Sequence, residues 1–415
     1  MKIQIIRSSA AVFLIILLIS MSCSKTDENL PTEPVPIDLT QDQTALIESG
    51  NSFAFDIFSQ VLKSAGQNEN IMISPMSISY ALSMTLNGAN GDTRAAMLEA
   101  LRLNGISVDA INNSYKNLTE ALLSVDKRVL ISIANSVWTE NDFAVKQAFI
   151  DILTNYYEAE SKSFDINDSS VPDKINAWIE DKTNGLIKEM IDKLEDNTVM
   201  LLINAIYFKG KWKSEFDESK TVEMPFYKTA SGQVDVPMMR QETEFSVYQG
   251  DGFVLAEFPY GQGNFVMDVV LPDEQDGLTN TLSSVTDANF TSWISQLSKR
   301  KTDVSFPRFK YGFKKKLKDV LSDMGMGIAF TDDADFSNIS DQYDLLINDV
   351  THQSFIETNE EGTEAAAATV VEIGLTSMPP ASLVYKMDHP FMYIIRETTT
   401  NSIIFMGRVS DPSIN

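Results

Sequence analysis

The stretch Glu360-Glu361-Gly362-Thr363-Glu364-Ala365-Ala366-Ala367-Ala368-Thr369-Val370-Val371-Glu372-Ile373-Gly374-Leu375-Thr376-Ser377-Met378-Pro379-Pro380 decides how the rest of the chain is read. Four consecutive alanines beside a glutamate favour helix on propensity alone. Parity says something else. The odd positions from 363 to 375 are Thr, Ala, Ala, Thr, Val, Ile and Leu, so a strand built from this segment has a face that can be buried. The even positions carry Glu364, Glu372 and Gly374, which suit the other face. Gly362 is a permissive hinge ahead of the segment, and Pro379-Pro380 cannot continue a central strand. The composition describes an element with two settings, an exposed loop and an inserted strand. A short surface helix within a long loop is the other reading of the same residues.

Downstream, Phe391–Ile395 and Ile403–Val409 flank the polar segment 396–402 and read as a terminal hairpin buried on both faces. Upstream, apolar strand-like runs fall at 129–137, 199–208, 253–258, 265–271 and 304–309. Phe53, Ile57, Phe58, Val61 and Leu62 keep helical spacing after Ser52, a candidate cap. Residues 78–84 and 93–101 continue the helical signal. Phe313, Leu317, Val320, Leu321 and Met324 mark a further amphipathic helix, with Lys314, Lys315, Lys316 and Lys318 on its polar side. Helices gathered early and strands concentrated later predict a mixed α+β fold. No second linker or repeat appears after about residue 45, so 45–415 is read as one large domain.

The N-terminus has a different character. Lys2 and Arg7 precede an apolar run from Ala10 to Ile19, followed by Ser20-Met21-Ser22-Cys23. A basic start, a short apolar core and small residues read as a signal peptide, and the run is short for a membrane-spanning helix. The segment is similar to a bacterial lipoprotein signal, 1–22, with Cys23 as the lipidated residue. Ser20 stands where that pattern has an aliphatic residue, and a signal peptide cut elsewhere is the alternative. Residues 23–44, rich in proline and acids, then read as a flexible tether.

Composition removes many chemistries. The 415 residues hold 33 Lys+Arg against 58 Asp+Glu, a formal charge of -25, with two His and one Cys. Loss of Lys2 and Arg7 with the signal moves the charge from -25 to -27. Such acidity argues against nucleic acid as a partner. A single cysteine excludes an intrachain disulfide framework and a thiolate metal cluster. There is no Gly-x-Ser-x-Gly elbow, His-Glu-x-x-His, EF-hand loop, Walker loop or Gly-x-Gly-x-x-Gly. Carboxylate pairs of the glycosidase kind stay open, since 58 acids always supply pairs; a solvated acidic face is the plainer reading. Nothing in the sequence calls for a cofactor or metal, and an enzyme is the weaker hypothesis.

The 360–380 stretch resembles the hinge and reactive loop of the serpins, the serine protease inhibitor family. Other matches follow in the family's order: Asn70-Ile71-Met72-Ile73-Ser74-Pro75-Met76-Ser77-Ile78, Asn135-Ser136-Val137-Trp138 and Asn204-Ala205-Ile206-Tyr207-Phe208-Lys209-Gly210-Lys211-Trp212. Further on come Phe306-Pro307-Arg308-Phe309, His389-Pro390-Phe391 and Phe405-Met406-Gly407-Arg408-Val409. The resemblance covers about residues 45–412. It implies eight to nine helices around three β-sheets, with a reactive-centre loop over 360–380.

The resemblance also implies a suicide-substrate mechanism. A protease forms an acyl-enzyme with the loop, which then inserts into the central sheet and distorts the enzyme. The hinge set, Glu360, Gly362, Thr363, Ala365, Ala366, Ala367, Ala368 and Thr369, is small enough for that entry and fits the inhibitory branch. Counting from Glu360 places the scissile bond at Thr376–Ser377, which suits elastase-like or subtilisin-like serine proteases and lacks the cation of a trypsin substrate. A shift to Leu375, or use of Met378, favours chymotrypsin-like or papain-like enzymes.

By the same resemblance Ser74, Ser77, Asn204 and His352 match the polar shutter beneath the sheet. Trp212 matches the breach where insertion begins, and plain core packing explains it equally well. His389 receives no role. The lysines of 314–318 read as a solvated face, and the sparse Lys116, Lys127 and Arg128 make heparin activation doubtful. The implied partners are target serine proteases in covalent complex, with a membrane reached only through the lipid, and the chain is expected to be a monomer, envelope-anchored or extracellular. A non-inhibitory serpin acting as a surface binding protein is the alternative, and a hydrolase dependent on His352 or His389 a distant third.

Overall fold

Thr40 opens the first helix, α1 (Gln41–Ser64): its hydroxyl accepts the Gln43 amide at 3.3 Å, and the Gln43 side chain accepts the Thr40 amide at 2.7 Å. This reciprocal box satisfies two backbone donors that a helix start otherwise leaves unpaired. Ser52, the candidate cap, lies inside the helix instead. The structure, a computed structural model, describes residues 30–228, 232–342, 344–362 and 382–414. Cys23 and the loop from Thr363 to Ala381, with the Thr376–Ser377 bond, lie outside them.

The folded body starts before residue 45. The Asn264 side chain bonds both backbone groups of Val35 at 2.8 Å, and the Thr399 hydroxyl accepts the Ile37 amide at 3.2 Å. The tether expected over 23–44 therefore ends well before residue 44. Composition pointed to an extended segment, and extended backbone is what Asn264 captures. From Thr32 onward the chain forms one compact unit.

Eight further α-helices follow among the described residues: α2 (Pro75–Leu86), α3 (Gly91–Ala100), α4 (Val108–Ser124), α5 (Gln147–Tyr157), α6 (Val171–Lys182), α7 (Leu278–Ser284), α8 (Asp287–Ser295) and α9 (Lys318–Leu321). The described residues also form fourteen strands in three sheets, and the fold is α+β. The largest sheet contains β1 (Ile71–Ile73), β5 (Val222–Tyr227), β6 (Gln233–Gln249), β7 (Phe253–Tyr260), β8 (Phe265–Pro272), β9 (Ser298–Pro307), β12 (Leu383–Lys386), β13 (Phe391–Glu397) and β14 (Ile403–Val409). Every residue of β8, β13 and β14 is buried, as the sequence of the terminal hairpin predicts. A three-stranded sheet holds β2 (Val129–Glu140), β3 (Glu160–Phe164) and β4 (Met200–Gly210), and a two-stranded one pairs β10 (Phe309–Lys316) with β11 (Thr351–Thr358).

One expected helix, marked by Phe313 to Met324, begins as a strand and turns helical only from Lys318. Phe309, Tyr311 and Phe313 are buried while Lys310, Gly312 and Lys314 are exposed, a period of two that overrides the helical spacing of Phe313, Leu317 and Val320. Pairing with β11, from Phe309 opposite Thr358 to Lys316 opposite Thr351, fixes it. Only Lys318–Leu321 is α-helical, followed by tight turns to Phe330. The lysines do face solvent, with Lys314 3.0 Å from Asp192 and Lys316 3.0 Å from Asp349.

Candidate functional site

The two smaller sheets meet along a split. β4 pairs with β2 on one side, β11 pairs with β10 on its own side, and no ladder joins β4 to β11 among the described residues. Both edges carry backbone groups that a neighbouring strand would satisfy. On β11 the buried Gln353 Oε1 and Thr358 Oγ1 have no hydrogen-bond partner. Beside the split lies a cavity of about 480 Å³ lined by Ile78 and Leu82 of α2, Leu202 and Asn204 of β4, Ile347 and His352.

One end of the split is closed. Beyond β4, the Trp212 amide donates to Glu361 O at 2.8 Å, its indole N–H donates to Asn359 O at 3.0 Å, and the Phe216 amide donates to Glu360 O at 2.8 Å. Trp212 is 4% exposed and stacks on Tyr260 with centroids 4.4 Å apart and rings 12° from parallel. Its packing and its contact with the hinge are thus both present. Gly362 bridges Lys211 with φ +135°, and a Cβ there would lie 2.2 Å from Gly210 O. No other residue fits that approach.

The Glu360 carboxylate, 2% exposed, is gripped by Arg308, whose Nε lies 2.8 Å from both oxygens, and by the Thr221 hydroxyl. Burial pushes this carboxyl up, but Arg308 and Thr221 outweigh burial and hold it below its ordinary value. Arg308 lies within the family-like run Phe306-Pro307-Arg308-Phe309, and nothing in that run alone marks it as the partner of Glu360.

Along the split Ser74, Ser77, Asn204 and His352, the residues that match the shutter pattern, come together in one buried network. Ser74 caps α2, with Pro75 at its first position, and its Oγ accepts the Ser77 amide at 3.2 Å while donating to Ile404 O of β14 at 2.8 Å. His352 Nε2 on β11 accepts the Ser74 amide at 3.1 Å. Ser77 Oγ donates to Asn204 Oδ1 of β4, whose amide donates to Asn135 Oδ1 at 2.7 Å, and Asn135 in turn donates to Tyr157 O at 2.6 Å. Asn135 and Tyr157 extend the network beyond the four residues singled out from sequence. Burial pushes the His352 imidazole down to about 4, so the ring is neutral and its Nε2 is free to accept. His389, which drew no role, bridges Asp388 and Pro272 O at 2.9 Å each.

A glycine approach closes one end of this split and a buried hydroxyl–amide–imidazole set lies along it. The family model described as Serpin (serine protease inhibitor) matches residues 48–412. This chain belongs to the serpin family. It is 36% identical to human Serpin B3, over 89% of this chain and 100% of that one. The thermophilic serpin Tengpin in its native state superposes with a TM-score of 0.81 at 30% identity, covering 91% of this chain and 97% of that one. Human thyroxine-binding globulin, solved with thyroxine, gives 0.82 at 28% identity, covering 90% of this serpin and 100% of that chain. Family membership supports protease inhibition in general, with proteases as partners.

Proposed function

We propose that this serpin inhibits serine-type endopeptidases as a suicide substrate, with Thr376–Ser377 as the bond attacked and elastase-like or subtilisin-like enzymes as targets. The observation that carries the reading is the pair of unjoined edges, β4 and β11, one of which leads directly through Glu360–Gly362 into the loop. The target's serine attacks the Thr376 carbonyl, the peptide bond to Ser377 breaks, and the amine of Ser377 leaves on the C-terminal fragment. The acylated segment from Thr363 onward then enters between β4 and β11. There its backbone satisfies both edges, while its small side chains pass the shutter. Water reaching the ester before insertion yields simple cleavage instead.

The test is a panel of proteases followed by gel analysis under denaturing conditions and mass measurement of the released fragment. Inhibition by this route gives a denaturant-resistant covalent complex and the 39-residue fragment Ser377–Asn415. Thr363→Arg should turn the inhibitor into a substrate. Turnover by every protease, with no covalent complex and no stabilisation on cleavage, would establish a non-inhibitory binding role, the reading to which the likeness to thyroxine-binding globulin lends support. A fragment of another mass moves the bond to Leu375 or Met378, and with it the target class toward chymotrypsin-like or papain-like proteases.

The same reading includes a lipid on Cys23 that keeps the inhibitor at the cell envelope. Cys23→Ser should release the protein from membranes, and unchanged membrane association would remove the anchor from the account.

A further inference from the structure

We propose that the cavity beside the split is a binding site for an uncharged, largely apolar small molecule that carries one carbonyl oxygen, with the His352 imidazole as the donor to that oxygen. The site stands on its own geometry; its exclusion of an entering loop rests on the inhibitory reading above. At about 480 Å³ the cavity falls within the range of small-molecule sites, about 300–1,000 Å³. It reaches from β4 to β11 over α2. Ile78, Leu82, Leu202, Phe336, Ile339 and Ile347 make its walls apolar, which favours a ligand whose body leaves water on entry.

One polar group among these walls has unused capacity. His352 is 5% exposed and lines the cavity. Its Nε2 accepts the Ser74 amide at 3.1 Å, so the proton of the neutral ring sits on Nδ1. That Nδ1–H has no hydrogen-bond partner among the described residues. A buried donor without an acceptor costs free energy that an arriving oxygen removes. Ser77 and Asn204, which also line the cavity, are already bonded to each other, and the imidazole marks the ligand's polar end.

Charge decides the class of oxygen. Burial keeps the ring uncharged, pushed down to about 4, so a carboxylate brought against it gains no ion pair and loses its water. The two lysines that line the cavity are already committed, Lys193 to Glu195 at 3.2 Å and Lys316 to Asp349 at 3.0 Å. A neutral carbonyl needs only the single donor that His352 offers. An alkyl ketone, ester or lactone of medium length answers this description. Bound there, it occupies space between the two strands that an entering segment must fill, so ligand and inserted loop exclude one another.

The probe is methyl heptyl ketone, titrated into the whole chain isotope-labelled at histidine nitrogen. The sequence holds two histidines, so the nuclear magnetic resonance spectrum reports His352 with His389 as internal reference. Saturable binding should move the His352 Nδ1 signal and leave His389 in place. Ala81→Leu adds bulk at the lining and should weaken binding about tenfold by filling the cavity. Nonanoate, of similar length but charged, should bind about tenfold more weakly than the ketone. No saturable binding, binding without a response at His352, or tighter binding of nonanoate overturns the proposal, and undiminished affinity in Ala81→Leu does the same. Protein cleaved in the loop separates the two readings. Loss of ketone binding together with gained stability is the expected result. Retained binding with gained stability overturns the placement of the site between the strands. Retained binding without gained stability refutes the inhibitory reading and leaves the site standing.

Discussion

At its closed end the split between β4 and β11 is bridged by main-chain hydrogen bonds to Glu360 and Glu361, and the Glu360 carboxylate is tied to Arg308 beside it, whereas in its middle neutral side chains go around the gap. His352 of β11 and Asn204 of β4 do not bond each other; each reaches the N-terminal turn of α2, through Ser74 and Ser77. The two strands are thus moored to one helix end by a single hydrogen bond apiece. Parting them there costs little compared with unzipping a ladder, because each lost bond is worth about 1 kcal/mol. The closed end is a charged lock and the middle a pair of light moorings. A strand entering from the lock end must displace the first and then slide past the second.

The largest effect should come from breaking the lock unevenly. Arg308→Ala leaves the Glu360 carboxylate, 2% exposed, without its cation, and should cost about 3–5 kcal/mol of unfolding stability. Glu360→Gln leaves an arginine whose side chain is 42% exposed and open to water, so about 1–2 kcal/mol is expected. Denaturant midpoints of the two variants measure the difference. Equal costs would mean that water reaches Glu360 and that the lock is a surface pair.

Acid should separate the two regions along the pH axis. His352 is held near 4 by burial, against 6.5 in the unfolded chain. The unfolded state therefore binds the proton first. His352's contribution is complete above about 6.5 and is lost as pH falls toward 4, about 3 kcal/mol in all. Glu360 is shifted in the same direction but from a lower starting value: its carboxyl is held below the ordinary 4.5, so its contribution is intact above that value and disappears only at lower pH. The middle should loosen before the lock. The pH dependence of unfolding in the whole protein and in His352→Gln tests this, and identical slopes between pH 4 and 6.5 would discard it.

What the sequence shows and what it conceals follow the same division. The four moorings, Ser74, Ser77, Asn204 and His352, were legible only because the family pattern names them. The hinge was legible through Gly362, whose neighbours exclude a side chain. Glu360 was placed in the hinge, but its grip by Arg308 and Thr221 was not readable: the partners lie 52 and 139 residues away in sequence, and no local period connects them. The lysines after Phe309 misled because Phe313, Leu317 and Val320 happen to keep helical spacing across a strand end. The tether misled for a deeper reason. Asn264 reads main chain, which side-chain composition does not reveal.

A smaller effect is expected within the moorings. Asn204→Ala strips Ser77 of its acceptor and Asn135 of its donor at once, for about 2 kcal/mol. Adding Ser77→Ala should cost less than the sum of the two single changes, since the hydroxyl has already lost its partner. Strict additivity, measured by a double-mutant cycle, would show that the two groups act separately and that β4 is not moored through Ser77.

The smallest effect tests whether charge at the closed end acts as a whole. Lys211 Nζ lies 3.8 Å from Glu361 and 4.0 Å from Glu215, with its side chain 40% exposed. Long contacts in reach of water are screened, so Lys211→Met should change stability by less than about 0.5 kcal/mol. The main-chain bridge from Lys211 to Gly362 survives the substitution, as does the Trp212–Glu361 hydrogen bond, because neither uses the side chain. A loss above about 1 kcal/mol that fades at high salt would show instead that Glu360, Glu361 and their cations form one network. The lock would then be an electrostatic cluster, and the uneven costs expected for Arg308 and Glu360 would have to be shared with Lys211.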